Sequence, residues 1–325
     1  MRKFLKYTAY TVIVLILIVI AGISYIVLAL PNVGEPEAIK IESTPQRIER
    51  GRYLANNVNA CVDCHSMRDW SKFAAPVKEE TMGVGGENFN ANIGFPGNVY
   101  VPNITPYHLS NWTDGELFRA ITTGVKKDGS AIFPIMPWES YSKMSREDVY
   151  SIIAYLRTLE PKKGDYPERK LDFPLNVLVH TMSAKATLGT VPDQHDTLEY
   201  GAYLVRIAAC KDCHSQAKQG KIIEGLEFAG GHEYMPPGGG TVRTANITPD
   251  KETGIGSWTK EQFVKTFTKY ADSTVKPIAV KPGEYQTIMP WYRYGKMKVT
   301  DLEAMYAYLK TVKPVKNKVV KFQIK

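Results

Sequence analysis

All four cysteines of the 325-residue chain lie in two C-x-x-C-H motifs. The thiols are Cys61, Cys64, Cys210 and Cys213, and the histidines that follow them are His65 and His214. Two thiols at this spacing can each add to one vinyl group of a haem, and the adjacent histidine can then bind the iron. The motifs therefore predict two covalently bound haem c groups, with His65 and His214 as proximal iron ligands.

Three other uses of paired cysteines are weighed against haem. A zinc site needs four ligands close together, whereas these pairs are far apart in the sequence and each has its own histidine. A thioredoxin-like redox pair does not require that histidine. A disulfide between cysteines so close in sequence would add little stability. Covalent haem accounts for the histidine as well as the thiols, so we expect haem.

Methionine is the expected sixth ligand of each iron, because a thioether ligand raises the reduction potential and suits electron transfer. Met136 and Met289 occupy matched positions, and each is followed by Pro-Trp. The alternative is that they fill core space, the usual role of methionine. Met144 and Met297 also match, but they lie just before predicted helix caps, where an apolar residue packs. We therefore predict Met136 and Met289 as axial ligands.

The other polar residues near the motifs have less specific expected roles. The remaining histidines are predicted to be structural or on the surface: His108, His180, His195 and His232. Asp63 and Asp212, inside the motifs, are expected to face solvent. Four matched side chains could hydrogen-bond haem propionates or cap loops: Asn103, Thr105, Asn246 and Thr248.

The two motifs belong to two copies of one longer pattern. In the same order and at similar gaps, each copy has Gly-x-Tyr-Leu, C-x-x-C-H, Gly-Gly, Asn-Ile-Thr-Pro, Trp-Thr, Ile-Met-Pro-Trp and Ala-Tyr-Leu. Such self-similarity indicates a duplicated domain. We predict domains at residues 45–160 and 195–314, an interdomain linker at 161–194 that contains a short helix within 175–188, and a basic tail at 315–325.

Helix signals fall at equivalent places in the two copies. Capping boxes are predicted at Thr113 with Glu116 and at Thr259 with Gln262. Two further caps are predicted to open the closing helices: Ser145 with Asp148, and Thr300 with Glu303. Apolar residues follow them at i, i+3, i+4 and i+7. The fold class predicted is all-α, with two tandem small helical domains in which the haem supplies much of the core.

Residues 1–34 predict one membrane-spanning helix. Arg2, Lys3 and Lys6 precede an apolar stretch at 11–30, which is long enough to cross a hydrocarbon core of about 30 Å. The positive-inside rule leaves the short end in the cytoplasm. A cleaved signal peptide is the alternative, although its apolar region usually has only about 7–15 residues. We expect an uncleaved anchor, with the rest of the chain outside the cytoplasm.

The formal charge of +8 is modest and predicts no nucleic-acid partner. Charge is more skewed at the C-terminus, where six lysines occur with no acidic residue among them: Lys310, Lys313, Lys316, Lys318, Lys321 and Lys325. A solvated tail is the simpler expectation. Docking of an acidic partner or of anionic lipid is the alternative.

Residues 51–161 and 201–314 resemble the haem domains of the membrane-bound cytochrome c subunits of bacterial alcohol and gluconate dehydrogenases. The shared features are C-x-x-C-H, Asn-Ile-Thr-Pro, the Met-Pro loop and Tyr-Leu near the last helix end. Those subunits carry three haems and attach differently to the membrane. The resemblance implies class I cytochrome c domains. Together with the N-terminal helix, it predicts that these domains lie in the periplasm, anchored by that helix in the bacterial inner membrane. It also implies a redox-protein donor such as a dehydrogenase, and a terminal oxidase or soluble cytochrome as acceptor.

An electron carrier is therefore predicted rather than an enzyme. A dihaem peroxidase needs one iron with an open or labile sixth position, whereas both repeats offer a methionine. The known type of dihaem thiosulfate dehydrogenase uses a cysteine ligand, and this chain has no spare cysteine. A haem-based sensor would need a signalling domain, for which the sequence offers no evidence. One five-coordinate haem would favour the enzyme alternative.

Overall fold

The computed structural model describes residues 1–218, 220–272 and 276–324. It begins with a helix at Arg2–Ala29 that has no buried residue. At 1.5 Å per residue the helix is about 42 Å long, which exceeds the thickness of a hydrocarbon core. Its length and composition would allow it to cross a membrane, as predicted for an anchor, and a signal sequence near an N-terminus passes the same test.

The two repeats fold with the same order of helices, and we call them domain 1 and domain 2. Each has a leading helix before the Cys motif, a helical turn over the motif, a helix after the Trp-Thr pair, a short helix after Met-Pro, and a closing helix. In domain 1 these helices are Pro45–Tyr53, Cys61–Cys64, Asp114–Thr123, Trp138–Tyr141 and Arg146–Leu156, and a further short helix at Pro106–Leu109 has no counterpart among the described helices of domain 2. In domain 2 they are Thr197–Ile207, Cys210–Cys213, Lys260–Thr268, Trp291–Tyr294 and Val299–Leu309.

Short strands accompany the helices, so the fold is mainly helical but the all-α prediction was too narrow. Each described sheet is antiparallel, and its strands have only two to four residues. One sheet contains Asn88–Asn90, Gly97–Tyr100 and Lys170–Leu171. A second sheet pairs Ala217–Lys218 with Lys221–Ile222. A third contains Glu233–Tyr234, Thr241–Arg243 and Phe322–Gln323. The predicted linker helix is limited to Leu175–Leu178 and a 3-10 turn at Val179–Thr181.

In each domain the closing helix packs against the leading helix. Glycine in the Gly-x-Tyr-Leu segment permits this approach. A Cβ atom at Gly51 would collide with the carbonyl of Ser151, and one at Gly201 would collide with the carbonyl of Ala304. The apolar faces predicted for the closing helices are largely buried, including Val149, Ile152, Ile153, Leu156, Leu302, Met305 and Leu309.

Three of the four predicted helix caps are confirmed. Thr113 and Thr259 form complete capping boxes, and the Ser145 hydroxyl accepts a hydrogen bond from the Asp148 amide. The cap predicted at Thr300 is wrong, because the helix begins at Val299 without a side-chain cap.

A segment after each closing helix runs back over its own domain, and we call these segments the domain 1 strap (161–171) and the lysine strap (313–324). The Asn103 amide donates to the Lys162 carbonyl, and Asn246 donates to the Val315 carbonyl, both at 2.8 Å. Each asparagine oxygen also accepts from a threonine hydroxyl two residues later. These side chains therefore fasten loops, one of the two roles expected for them. The predicted domain 1 ends at residue 160, just before its strap, and the predicted domain 2 ends at residue 314, just inside the lysine strap.

The two domains hold each other through reciprocal tyrosines. Tyr53 of domain 1 donates to the Asp301 carboxylate of domain 2 at 2.6 Å. Tyr203 of domain 2 donates to the Asp148 carboxylate of domain 1, also at 2.6 Å. Both carboxylates are buried. Arg50 binds Asp148 through two further hydrogen bonds of 2.8 and 2.9 Å.

A third interdomain contact occurs on one side only. Gln286, which is 2% exposed, lies three residues before Met289. Its amide oxygen accepts from the Ala74 amide of domain 1 at 2.8 Å. Its amide nitrogen donates to the carbonyls of Lys72 at 2.8 Å and Trp70 at 3.2 Å. Phe133 occupies the matching position of domain 1, so that domain has no equivalent glutamine.

Candidate functional site

Each C-x-x-C-H motif is one helical turn that follows an alanine in the left-handed region. Ala60 has φ 50° and Ala209 has φ 54°. Because positions i and i+3 of a helix are neighbours, the two thiols of each motif lie on one side of the turn. All four cysteines are free thiols, so the motifs are not disulfide staples in this structure.

Both motif histidines are oriented by a backbone carbonyl. The Nδ1 atom of His65 lies 2.8 Å from the Pro102 oxygen, and that of His214 lies 2.7 Å from the Ala245 oxygen. A hydrogen bond at Nδ1 fixes the ring and leaves Nε2 available as a ligand, the arrangement found at metal-binding histidines. Burial lowers the pKa of both imidazoles, which favours the neutral form that binds iron.

The thiols do not have the character of a redox-active pair. Burial raises the pKa of Cys61 and of Cys210 to about 12, whereas catalytic C-x-x-C pairs have lowered values. Within the described part of the chain, no three His, Cys, Asp or Glu side chains form a group that could hold a metal ion. Free, adjacent thiols beside an oriented histidine fit a covalently attached haem better than a zinc or dithiol site.

The two matched pairs of methionines differ in burial. Met144 is fully buried and Met297 is 4% exposed, and the Met144 sulfur accepts a hydrogen bond from Asn59. Met136 and Met289 are only partly buried and pack at the edge of the core. The carbonyl of each accepts from the tryptophan amide two residues later, at 2.7 Å, so the two loops share one local turn. Their role as sixth ligands stays a prediction.

The prediction that both motif aspartates face solvent is wrong for Asp63. Asp63 is buried and forms an ion pair with Arg68 at 3.4 Å. Arg68 also pairs with Glu87 at 3.4 Å and stacks over the Trp70 ring at 4.4 Å. Asp212 is half-buried and accepts a hydrogen bond from Ser140 of domain 1 at 2.7 Å.

The segments that lead into the two motifs contact each other across the domain interface, since the Asn59 side chain donates to the Ile207 carbonyl at 3.1 Å. Tyr141 donates to the Asn59 carbonyl at 3.2 Å, and Tyr294 donates to the Ala208 carbonyl at 2.9 Å. Both carbonyls lie two residues before a motif. Burial is the main cause of the raised pKa of Tyr141, and thiols of both motifs raise it further. Ser140, the residue before Tyr141, donates to Asp212 inside the second motif at 2.7 Å, so this short helix of domain 1 contacts the second motif.

The other four histidines lie apart from the motif turns. His108 and His195 are exposed, and the His180 ring contacts the Leu30 carbonyl at 3.1 Å. His232 is nearest to a motif, since its ring lies 3.3 Å from the Ser215 carbonyl and packs against Tyr234.

Several residues that shape the site were missed by sequence reasoning. They are Tyr53, Tyr203, Arg68, Tyr141, Tyr294 and Gln286. Four of them are tyrosines at matched positions of the repeat, and this matching was the available signal. Arg68 and Gln286 have no counterpart in the other repeat and left no signal.

Comparison with known proteins gave curated relatives, and no family model matches the chain. It is 29% identical to the fructose dehydrogenase cytochrome subunit of Gluconobacter japonicus, over 67% of this chain and 44% of that protein. It is 26% identical to the cytochrome c subunit of quinone alcohol dehydrogenase from Gluconacetobacter polyoxogenes, over 82% of this chain and 56% of that protein. It is 28% identical to a diheme cytochrome c-type protein of Cereibacter sphaeroides, over 92% of this chain and 96% of that protein.

The chain spans about half the length of the two dehydrogenase subunits and nearly all of the diheme protein. The resemblance to dehydrogenase cytochrome c subunits that the motifs predicted is confirmed.

Proposed function

We propose that this chain is a membrane-anchored dihaem c-type cytochrome that relays single electrons between redox proteins. The observation that carries the proposal is the pair of C-x-x-C-H motifs in two domains that are joined by reciprocal contacts and by a hydrogen bond between the segments that lead into the motifs. Short separation between carriers favours transfer within the molecule. Relatives named as cytochrome c subunits of dehydrogenases, and one named a diheme cytochrome, support the same class.

The roles of the site residues follow from their chemistry. The four cysteines would each form a thioether bond to a haem, and His65 and His214 would bind the two irons through Nε2. Met136 and Met289 would supply the sixth ligands. A bound haem accepts and releases one electron. The chain contributes a fixed ring orientation at each histidine and a pair of domains joined by buried hydrogen bonds.

The N-terminal helix would hold the domains at the periplasmic face of the bacterial inner membrane. The donor we propose is a dehydrogenase, as the names of the relatives suggest. The acceptor we propose is a terminal oxidase or a soluble cytochrome. A chain of this kind would act as the electron-carrying subunit of an oxidoreductase system and would not itself transform substrate.

The test uses absorption spectra of the haem-loaded full chain and two matched sets of variants. Met136→Leu and Met289→Leu should each remove about half of the weak far-red band of Met–Fe(III) bonding, and each should open one iron to carbon monoxide. Met144→Leu and Met297→Leu change buried methionines of the same repeat and should keep the band. Loss of the band in the second set would refute the ligand assignment. A high-spin, carbon monoxide-binding haem in the unmodified protein would favour the peroxidase-type alternative.

A further inference from the structure

The two straps match in position but differ in charge. The domain 1 strap (161–171) contains four basic and two acidic residues, whereas the lysine strap (313–324) contains four lysines and no acidic residue. Both are fastened to their domains by the same asparagine and threonine contacts. The structural task of a strap therefore does not require the excess of lysine.

The lysine strap presents its charges outward. Val315, Asn317, Val319 and Phe322 are the partly buried positions, and the lysines between them are exposed. The hydrogen bonds and strand pairing of the strap hold this alternation in place. Two exposed apolar side chains lie among the lysines, Val320 at 62% and Ile324 at 65% exposure. Protein interfaces combine an apolar centre with a polar rim, and charge complementary to the partner steers the encounter.

The positive charges of the strap are mostly uncompensated. Among the described residues, the only ion pair of a strap lysine joins Lys316 to Glu252 at 2.6 Å. Lys313, Lys318 and Lys321 have no such pair there. A solvated face is the simpler reading of a lysine run, but a solvated face would not need to differ from the equivalent strap of domain 1. Lys325 lies outside the described residues.

The strap lies beside the second motif. The Asn317 side chain donates to the Ala229 carbonyl at 2.8 Å. The next residue, Gly230, donates through its backbone to the His214 carbonyl at 2.8 Å. Only these two hydrogen bonds and the Ala229–Gly230 peptide separate the strap from the predicted iron ligand. A protein seated on the strap would thus be close to the carrier of domain 2.

We propose that the lysine strap is the docking surface for an acidic redox protein, which exchanges electrons with the haem of domain 2. The proposal rests on the electron-transfer function proposed above. An acidic protein fits better than anionic lipid because the strap contacts the loop that binds the His214 carbonyl, and the electrons of domain 2 must enter or leave at that motif. A lipid contact would gain nothing from that position.

The test compares two double variants with the same change in charge. Lys318→Glu with Lys321→Glu alters the lysine strap, and Lys163→Glu with Lys170→Glu alters the domain 1 strap. All four lysines are exposed, and each pair lowers the formal charge from +8 to +4, since each Lys→Glu change removes two charges. Stopped-flow absorption would follow haem reduction in the full chain, held in neutral-lipid discs.

The probe is reduced flavodoxin, an acidic protein whose flavin gives up one electron as Fe(III) becomes Fe(II). At low ionic strength, the lysine-strap variant should be reduced about tenfold more slowly than the unmodified chain, because the steering charge is reversed. The domain 1 strap variant should be reduced at a rate within about twofold of that of the unmodified chain. The difference should vanish near 1 M salt, where the screening length is about 3 Å. Equal slowing of both variants would overturn the proposal, because net charge alone would then explain the rates.

Two further measurements separate the possible failures. A small uncharged hydroquinone should reduce all three proteins at the same rate. If neither flavodoxin nor the hydroquinone reduced the haems of the unmodified chain, the proposed electron-transfer function itself would be wrong. The flavodoxin reaction is then repeated in discs that contain phosphatidylglycerol. If this anionic lipid abolishes the difference between the two variants by covering the strap, the strap binds membrane and the docking proposal is wrong.

Discussion

Replacing Tyr53 by phenylalanine should weaken the domain interface far more than the loss of one hydroxyl would at the surface. The Tyr53 hydroxyl donates to Asp301 at 2.6 Å, and Asp301 is 4% exposed. Among the described residues, no other side chain donates a hydrogen bond to that carboxylate. The variant leaves a buried charge without its donor, so we expect unfolding free energy to fall by about 3 kcal/mol.

A double-mutant cycle with Asp301→Asn tests the physical reason. In the Asp301→Asn background, the group left without its donor is a neutral amide, and Tyr53→Phe should cost only about 1 kcal/mol. The coupling energy should therefore be about 2 kcal/mol. The assay is urea unfolding of the haem-loaded full chain in detergent, followed by tryptophan fluorescence and the main haem absorption band.

Tyr155→Phe is the matched control for this cycle. Its hydroxyl exchanges hydrogen bonds with Asn56 inside domain 1, so its removal should cost about 1 kcal/mol and show no coupling to Asp301→Asn. The reasoning would be refuted if Tyr53→Phe cost the same in both backgrounds, because the hydroxyl would then not act through the Asp301 charge.

Two other outcomes are expected. Gln286→Ala leaves the Ala74 amide and the Lys72 carbonyl of domain 1 without their partner, so the Met289 loop should loosen. The far-red Met–Fe(III) band should fall by up to half, whereas Phe133→Ala at the matching position should leave the Met289 half of the band intact. Burial and the partner carboxylates raise the pKa of Tyr53 and Tyr203 above the ordinary value. Because unfolded tyrosine loses its proton near pH 10, stability should fall above about pH 10, by up to about 1.4 kcal/mol per pH unit for each. Urea unfolding at pH 8 to 11.5 would measure this change. If the unfolding free energy of a Tyr53→Phe, Tyr203→Phe double variant fell with pH as steeply as that of the unmodified chain, the explanation would be wrong.

Sequence patterns predicted the parts of the fold that residue type determines. The motifs, the leading and closing helices and the capping residues Thr113 and Thr259 all carry local signatures. The straps carry none, because they are held through backbone carbonyls such as that of Val315. The strands have too few residues for an alternating pattern.

The interdomain contacts were beyond sequence reasoning for a different reason. Tyr53 belongs to a recognised Gly-x-Tyr-Leu segment, but its partner Asp301 is 248 positions away. Tertiary pairing of that kind leaves no periodicity. The position of Asp63 inside its motif predicts a solvent-facing side chain, whereas the structure buries it beside a basic partner. Its partner, Arg68, has no counterpart in the second repeat, so the repeat pattern did not point to it.

The exchange of tyrosines between the domains has a consequence for how the two halves can vary. Tyr53 binding Asp301 while Tyr203 binds Asp148 is the pattern of an isologous interface between two identical subunits. Here both subunits belong to one polypeptide, so their assembly does not depend on protein concentration. Identical subunits must change together, whereas fused halves can change one at a time. Gln286 on one half and Arg68 on the other are changes that a homodimer could not make separately.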